Sequence, residues 1–211
     1  ELFMFGMDIR EPTDADLGSK LRAFHHLQSL DVRLKTPCLL QRELFWSPHF
    51  SSLIALDITI LYGTLSNALD FSALQLLRTL RIRLSFMTPD DLQCTFISIV
   101  KLRSHLTELH LLDMFVEKQT EAVVHRGSFK PPEEILASLG QVELQQLSAM
   151  TNLQVLTFES PTVDSIAVLR ALTRLRVLDV SHCKRLSAQQ ALIDVQQLPA
   201  LREITAVGIS P

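Results

Sequence analysis

The stretch Leu175-Arg176-Val177-Leu178-Asp179-Val180-Ser181-His182-Cys183 states the unit from which the chain is built. Its skeleton is a leucine, two residues, a second leucine, one residue and an apolar side chain. The same skeleton, once with isoleucine in the middle, occurs at Leu27-Leu30-Val32, Leu53-Leu56-Ile58, Leu77-Leu80-Ile82, Leu106-Leu109-Leu111, Leu153-Leu156-Phe158 and Leu201-Ile204-Ala206. The middle positions 30, 56, 80, 109, 156, 178 and 204 lie 26, 24, 29, 47, 22 and 26 residues apart. Five of these intervals match the roughly 20–29-residue period of repeats that supply one short strand and one helical return each. Neither piece can bury its apolar side alone, so neighbouring repeats must stack into one elongated body.

The composition supports a continuous core and narrows the partners. Apolar residues make up 47% of the 211-residue chain, which excludes general disorder. Twenty basic against twenty-three acidic residues give a net charge of −3 with no long run of one sign. A nucleic-acid partner is therefore not expected, since such proteins carry a basic excess or patch. No apolar stretch reaches the ~20 residues of a membrane span, and Glu1 does not open a signal peptide. The three cysteines, Cys38, Cys94 and Cys183, show no paired spacing. No Asn-x-Ser/Thr acceptor occurs either, because Asn67 precedes Ala-Leu and Asn152 precedes Leu-Gln. Both absences point to a reducing, intracellular setting, cytoplasmic or nuclear, with an organelle as the alternative. The chain opens without methionine and closes at Ile209-Ser210-Pro211 without a polar capping repeat, which reads as part of a longer protein.

Between the strands the spacing predicts helices. A first strand is expected around Leu2–Phe5, and a helix over Asp14–Phe24 places Leu17, Leu21 and Phe24 on one face. Further helices are expected from Leu40 to Phe45, over Leu65–Leu77, over Val163–Leu172 and over Ser187–Leu198. Thr88-Pro89-Asp90-Asp91 is the clearest start signal, with a capping hydroxyl, proline at the first helical position and carboxylates in the first turn. The helix after it should bury Leu92, Phe96, Ile99, Val100 and Leu102. Domain organisation is a single repeat domain over 1–211. The 47-residue interval holds either one repeat with an inserted loop at 116–132 or two repeats, one degenerate. The insertion is preferred, because no second leucine skeleton occurs within it, and helical pattern resumes only at Glu133-Glu134-Ile135-Leu136.

This framework resembles the leucine-rich repeat superfamily over nearly the whole chain. The resemblance implies an α/β solenoid of horseshoe form, with a parallel sheet on the concave side and helices on the convex side. In that family the position three after the last strand leucine is often asparagine or cysteine, bonding backbone within the turn. Cys183 fits, whereas Lys35, Leu61, Ser85 and Met114 depart from the pattern, so the turn ladder should be irregular. A narrower resemblance covers about the last fifty residues. Val163-Asp164-Ser165-Ile166, Leu178-Asp179-Val180-Ser181, Leu192-Ile193-Asp194-Val195 and Leu198-Pro199-Ala200-Leu201 look like repeats of Zyg-eleven-type substrate receptors of cullin-RING ubiquitin ligases. F-box proteins with leucine-rich repeats share this texture. It implies a substrate receptor in the ubiquitin conjugation pathway, with a ligase adaptor reached through regions outside this chain.

A search for converging catalytic residues returns nothing. The glycines at 6, 18, 63, 127, 140 and 208 form no phosphate loop, and no Gly-x-Ser-x-Gly, Cys-x-x-Cys or His-Glu-x-x-His pattern occurs. His25 and His26, as helix neighbours, would point about 100° apart and could not readily share a metal ion. His182-Cys183 has a structural explanation in the turn. Asp90-Asp91 and Glu133-Glu134 sit at helix starts, where they complement the dipole. The expectation is a non-enzymatic protein-interaction module without cofactor or metal, and the alternative is a structural subunit of a large, possibly organellar, assembly.

Binding should fall on side chains that point out of the sheet between the core leucines. One column reads Asp31, Asp57, Arg81, His110, Thr157, Asp179 and Thr205. A second, two places on, reads Arg33, Thr59, Arg83, Leu112, Glu159, Ser181 and Val207. Arg78, Arg81 and Arg83 form a small basic patch beside Asp31 and Asp57. It either receives an acidic segment of a partner or is neutralised by cross-strand pairs such as Asp57–Arg81. Leu112, Met114, Phe115 and Val116 form an apolar strand exit, which the insertion or a partner must cover; the insertion is preferred.

Overall fold

The structure, a computed structural model, describes residues 4–9, 26–34, 50–60, 70–84, 89–112 and 139–211. Eight strands form one parallel sheet in chain order: β1 Met4–Ile9, β2 Ser29–Leu34, β3 Ala55–Ile60, β4 Thr79–Leu84, β5 Glu108–Leu112, β6 Val155–Phe158, β7 Val177–Asp179 and β8 Glu203–Thr205. The strand expected near Leu2–Phe5 thus lies slightly later. Each strand pairs only with its sequence neighbours, which a right-returning repeat requires when every strand must run the same way.

The leucine skeleton sets the register. Leu30, Leu56, Leu80, Leu109, Leu156, Leu178 and Ile204 are successive partners along one line, and Val32, Ile58, Ile82, Leu111 and Phe158 along the next. All are buried except Ile204, which is 38% exposed because no strand follows it among the described residues. Two further apolar lines come from the return segments: Phe50, Leu74, Leu102, Met150, Leu172 and Leu198, and behind them Phe71, Ile99, Leu147 and Leu169. Burying each such side chain contributes about 2 kcal/mol before entropy is subtracted.

The entries to β3–β8 repeat one hydrogen-bonding device. A single carbonyl accepts two consecutive N–H groups from the next repeat: Gln28 from Ile54 and Ala55, Ile54 from Arg78 and Thr79, Arg78 from Thr107 and Glu108. The series continues with Thr107 to Gln154 and Val155, Gln154 to Arg176 and Val177, and Arg176 to Arg202 and Glu203. The step from β5 to β6 obeys the same rule as the others. The 47-residue interval therefore adds no strand between them. The loop expected at 116–132 lies outside the described residues, as do Met114, Phe115 and the helices at 14–24 and 40–45.

The return segments differ from repeat to repeat. The 29-residue repeat carries α1 Pro89–Lys101 and the 26-residue repeat that follows β7 carries α3 Ala188–Val195. The 22-residue repeat has room only for a 3-10 turn at Ala167–Ala171, where an α-helix was expected over Val163–Leu172. Tight 3-10 bonding spends fewer residues per segment, and the β-branched Ile166 and Val168 disfavour a longer helix. Residues 70–77 form turns where the spacing predicted helical continuation, closed by Leu74 N–H to Phe71 O and Leu77 N–H to Leu74 O. Within α1, Leu92, Phe96, Ile99 and the following Leu102 are buried, as the spacing predicts, whereas Val100 is only half-buried. The helix α2 Gln141–Leu147 starts at Gly140, whose N–H donates to Glu143 Oε2 at 2.9 Å. No residue pattern had pointed to this start.

Polar side chains tie one return segment to the next. Ser98 on α1 accepts from Phe71 N–H at 2.5 Å and donates to Asp70 Oδ1 at 3.1 Å. Burial pushes the Asp70 carboxyl up, but the Ser72 N–H and the Ser98 hydroxyl hold it below the ordinary value. On α3 the carboxylate of Asp194, only 2% exposed, accepts from Ile166 N–H at 2.7 Å, Ser165 Oγ at 2.9 Å and Gln190 Nε2 at 2.8 Å. Both clamps reach back one repeat.

Candidate partner-binding face

Strand side chains alternate between core and water, so the residues between the buried lines emerge on the open side of the sheet. The register makes the expected columns real rows of neighbours. Asp31 faces Asp57, then Arg81, His110, Thr157, Asp179 and Thr205, while Arg33 faces Thr59, Arg83 and Leu112.

At the β2–β4 end like charges meet. Asp31 and Asp57 are direct partners, about 4.8 Å apart by strand spacing. Arg33 Nη2 lies 3.2 Å from Asp31 Oδ2 and Arg81 Nη1 lies 3.4 Å from Asp57 Oδ2. Burial, and then the charge of Asp31, push the Asp57 carboxyl above its ordinary value despite Arg81. The second oxygen of Asp31, Oδ1, is buried without a hydrogen-bond partner among the described residues. Pairs this exposed contribute little stability, so their main effect is on the charge pattern of the face.

Arg78 stands apart from Arg81 and Arg83. It occupies a strand entry, and its Nη1 donates to His105 O at 2.9 Å, bracing the turn of the next repeat. The neighbouring entries are braced similarly, with Asn152 Nδ2 donating to Ser104 O at 2.9 Å and Arg174 Nη1 to Asn152 Oδ1 at 2.9 Å. His105 is buried against this turn, and burial holds its imidazole below the ordinary value.

His110 sits at the centre of the face. Its Nδ1 lies 3.0 Å from Thr157 Oγ1, and burial followed by the charge of Arg81 holds the ring below the ordinary imidazole value. Asp179 Oδ1 accepts from Ser181 N–H at 2.9 Å, which shapes the exit of β7. Beyond it His182 adopts φ 62°, stacked on Gly208 at φ 71°. A side-chain carbon on Gly208 would stand 3.0 Å from His182 Nδ1, so both the backbone angle and this contact call for glycine.

A third water-facing column escaped the sequence reading: Ser29, Ala55, Thr79, Glu108, Val155, Val177 and Glu203. Strict period-two counting back from the first column would have found it. Its Thr79 Oγ1 donates to Glu108 Oε2 at 3.4 Å.

The remaining candidates have structural roles. Cys183 is buried, its thiol points at Phe158 O at 3.8 Å, and burial pushes it up to about 12. Ser160 does related work one repeat earlier, donating to Leu139 O at 2.6 Å and accepting from Val163 N–H at 3.1 Å. His26 lies exposed in a turn before β2 and not on a helix, while His25 and Cys38 lie outside the described residues. Among the described residues no three His, Cys, Asp or Glu side chains gather as a metal site, and no helix is long and apolar enough to cross a membrane.

A parallel sheet built one strand per repeat, with buried leucines in register and return segments on the other face, defines the leucine-rich repeat fold. No protein-family model matches the chain, and no curated protein matches it. Among solved structures it is similar to an internalin (inlF) from Listeria monocytogenes, with a TM-score of 0.54 at 15% identity over 92% of this chain and 45% of that one. It also aligns with an internalin C2 from the same organism, with a TM-score of 0.44 at 15% identity over 89% of this chain and 74% of that one. The chain thus spans under half the length of the first of these, and what it shares with that structure is the fold.

Proposed function

We propose that the chain is a non-enzymatic protein-recognition module whose partner lies on the open face of the sheet. The observation that carries this reading is the register itself. It lines up three columns of charged, hydroxyl and small apolar side chains on a rigid surface, with nothing resembling a reaction centre among them. The nine face and rim positions singled out from the sequence, Asp31, Arg33, Asp57, Thr59, Arg78, Arg81, Arg83, His110 and Asp179, then divide by role. Arg78 braces a turn, and the other eight belong to the contact surface.

The finer reading is that this surface delivers a protein substrate to a cullin-RING ubiquitin ligase, with the adaptor bound by regions beyond this chain. Its support is the residue texture of 163–201, where Asp179-Val180-Ser181 is followed by a helix closing on Leu198-Pro199-Ala200-Leu201. Affinity purification of the full-length protein with mass spectrometry tests it. Recovery of a cullin and its adaptor is expected; a stoichiometric large assembly without them would replace the ligase reading with that of a structural subunit. Within the face, Arg81→Glu with Arg83→Glu should abolish capture of the substrate protein while leaving the cullin and its adaptor bound, and unchanged substrate capture would remove the β4 arginines from the contact.

A further inference from the structure

Two branched apolar side chains stand on the water-facing side of the sheet between two carboxylates. Val155 on β6 and Val177 on β7 are direct partners, Glu108 on β5 precedes them in the row and Glu203 on β8 follows. The row therefore reads carboxylate, valine, valine, carboxylate across four adjacent strands. At about 4.8 Å per strand, its ends lie about 14 Å apart. Among the described residues neither Glu108 nor Glu203 takes part in an ion pair, and Arg176 and Arg202 at the strand entries pair with neither. Within β5–β8 themselves the water-facing positions hold Glu108, Asp179 and Glu203 but no lysine or arginine, and the exposed Arg176 and Arg202 stand at the strand entries.

The geometry points to a docking row for an extended segment of a partner protein with the order basic, any, apolar, any, basic. The inference rests on the reading of this face as the protein-binding surface and names the chemistry of what binds there. An extended chain laid across the strands advances about 3.3 Å per residue and turns alternate side chains to the same side. Its residues i and i+4 then fall about 13 Å apart, within about 1 Å of the separation of Glu108 and Glu203. Residue i+2 falls about 7 Å along, between Val155 and Val177. A helix advances only about 1.5 Å per residue, so its i and i+4 side chains could reach only one of the two carboxylates. An acidic segment would meet the carboxylates of Glu108, Asp179 and Glu203 on these strands, and the charge pattern selects against it.

Fluorescence anisotropy with the complete chain at low salt tests the row. The probes are a labelled peptide centred on Lys-Thr-Leu-Thr-Lys, its counterpart centred on Glu-Thr-Leu-Thr-Glu, and a contracted peptide centred on Lys-Leu-Lys. The first should bind most tightly, and E108Q with E203Q should weaken it about five- to thirtyfold, as two exposed ion pairs lost together imply. A thermal melt by circular dichroism checks that the variant folds, and Val177→Thr, which keeps shape and removes apolar contact, should weaken the same peptide without altering charge. Equal binding of the acidic peptide, an affinity unchanged in E108Q/E203Q, or no saturable binding of the first peptide overturns the row. Those results leave the broader reading standing, because partner capture in the Arg81→Glu/Arg83→Glu variant reports on the other half of the face.

Discussion

Two aspartates in this chain show how placement decides what a carboxylate does. Asp194 is buried and takes three donors, so Asp194→Ala would strand Ile166 N–H and Ser165 Oγ inside the return layer. A loss of about 3 kcal/mol is expected in urea unfolding, since buried donors without acceptors are costly. Asp57 is the opposite case: burial and Asp31 disfavour its charge more than Arg81 favours it. Asp57→Asn should leave the melting temperature at neutral pH equal or higher. His110 adds a pH dependence whose sign follows from its lowered pKa. The fold favours the neutral ring, so its contribution is complete above the free value of 6.5 and is lost as pH falls below it. The melting temperature should therefore fall on acidification from about pH 7 to 5.5, and His110→Gln should flatten that fall, leaving the part due to His105. An unchanged slope in the variant would remove His110 as its source. The sequence disclosed which residues share the face because strand alternation is a two-residue rule. It did not disclose which arginine braces a turn, because Arg78, Arg81 and Arg83 differ only by register parity and by a carbonyl 27 residues away.

Strands were the legible elements and return segments were not. Leucine spacing located seven strand motifs, since each core leucine must meet its equivalent in the next repeat. The return segments pack through similar apolar spacing whether they are α-helical, 3-10 or turns, so composition could not distinguish them. Position nine of the repeat was legible only at Cys183, and the work done by Ser160 was missed because it stands one residue earlier than the pattern allows. These turns carry a chemical prediction. Cys94 is exposed on α1 whereas Cys183 is buried with its thiol pushed up to about 12. Because the thiolate is the reactive form, maleimide labelling followed by peptide mapping should modify Cys94 in the native protein and reach Cys183 only on unfolding. Equal labelling of both at native conditions would contradict the buried turn.

Across the described sheet as a whole, stability should fall from β5 to β8. Leu109 is fully buried between two neighbouring strands, whereas Ile204 is 38% exposed on β8. Leu109→Ala should cost about 2–5 kcal/mol in urea unfolding. Ile204→Ala, at an equivalent place in the motif, should cost about 1 kcal/mol, because half its contacts have no counterpart across the edge. Similar losses at the two sites would mean that the stack does not behave as a chain of nearest-neighbour interfaces.

The carbonyl that takes two N–H groups at each of the entries to β3–β8 also bears on how the stack folds. Each such contact closes a loop of about one repeat, so structure can spread from any formed pair of strands to the next without waiting for distant parts of the chain. The step from β5 to β6 closes over 47 residues, about twice the usual span. Loop entropy grows slowly with length, about 0.6 kcal/mol for a doubling, so growth across that step should slow only two- to threefold, about the factor that energy implies. Folding started on either side can therefore cross the long step, and the two halves of the sheet mature as one cooperative body.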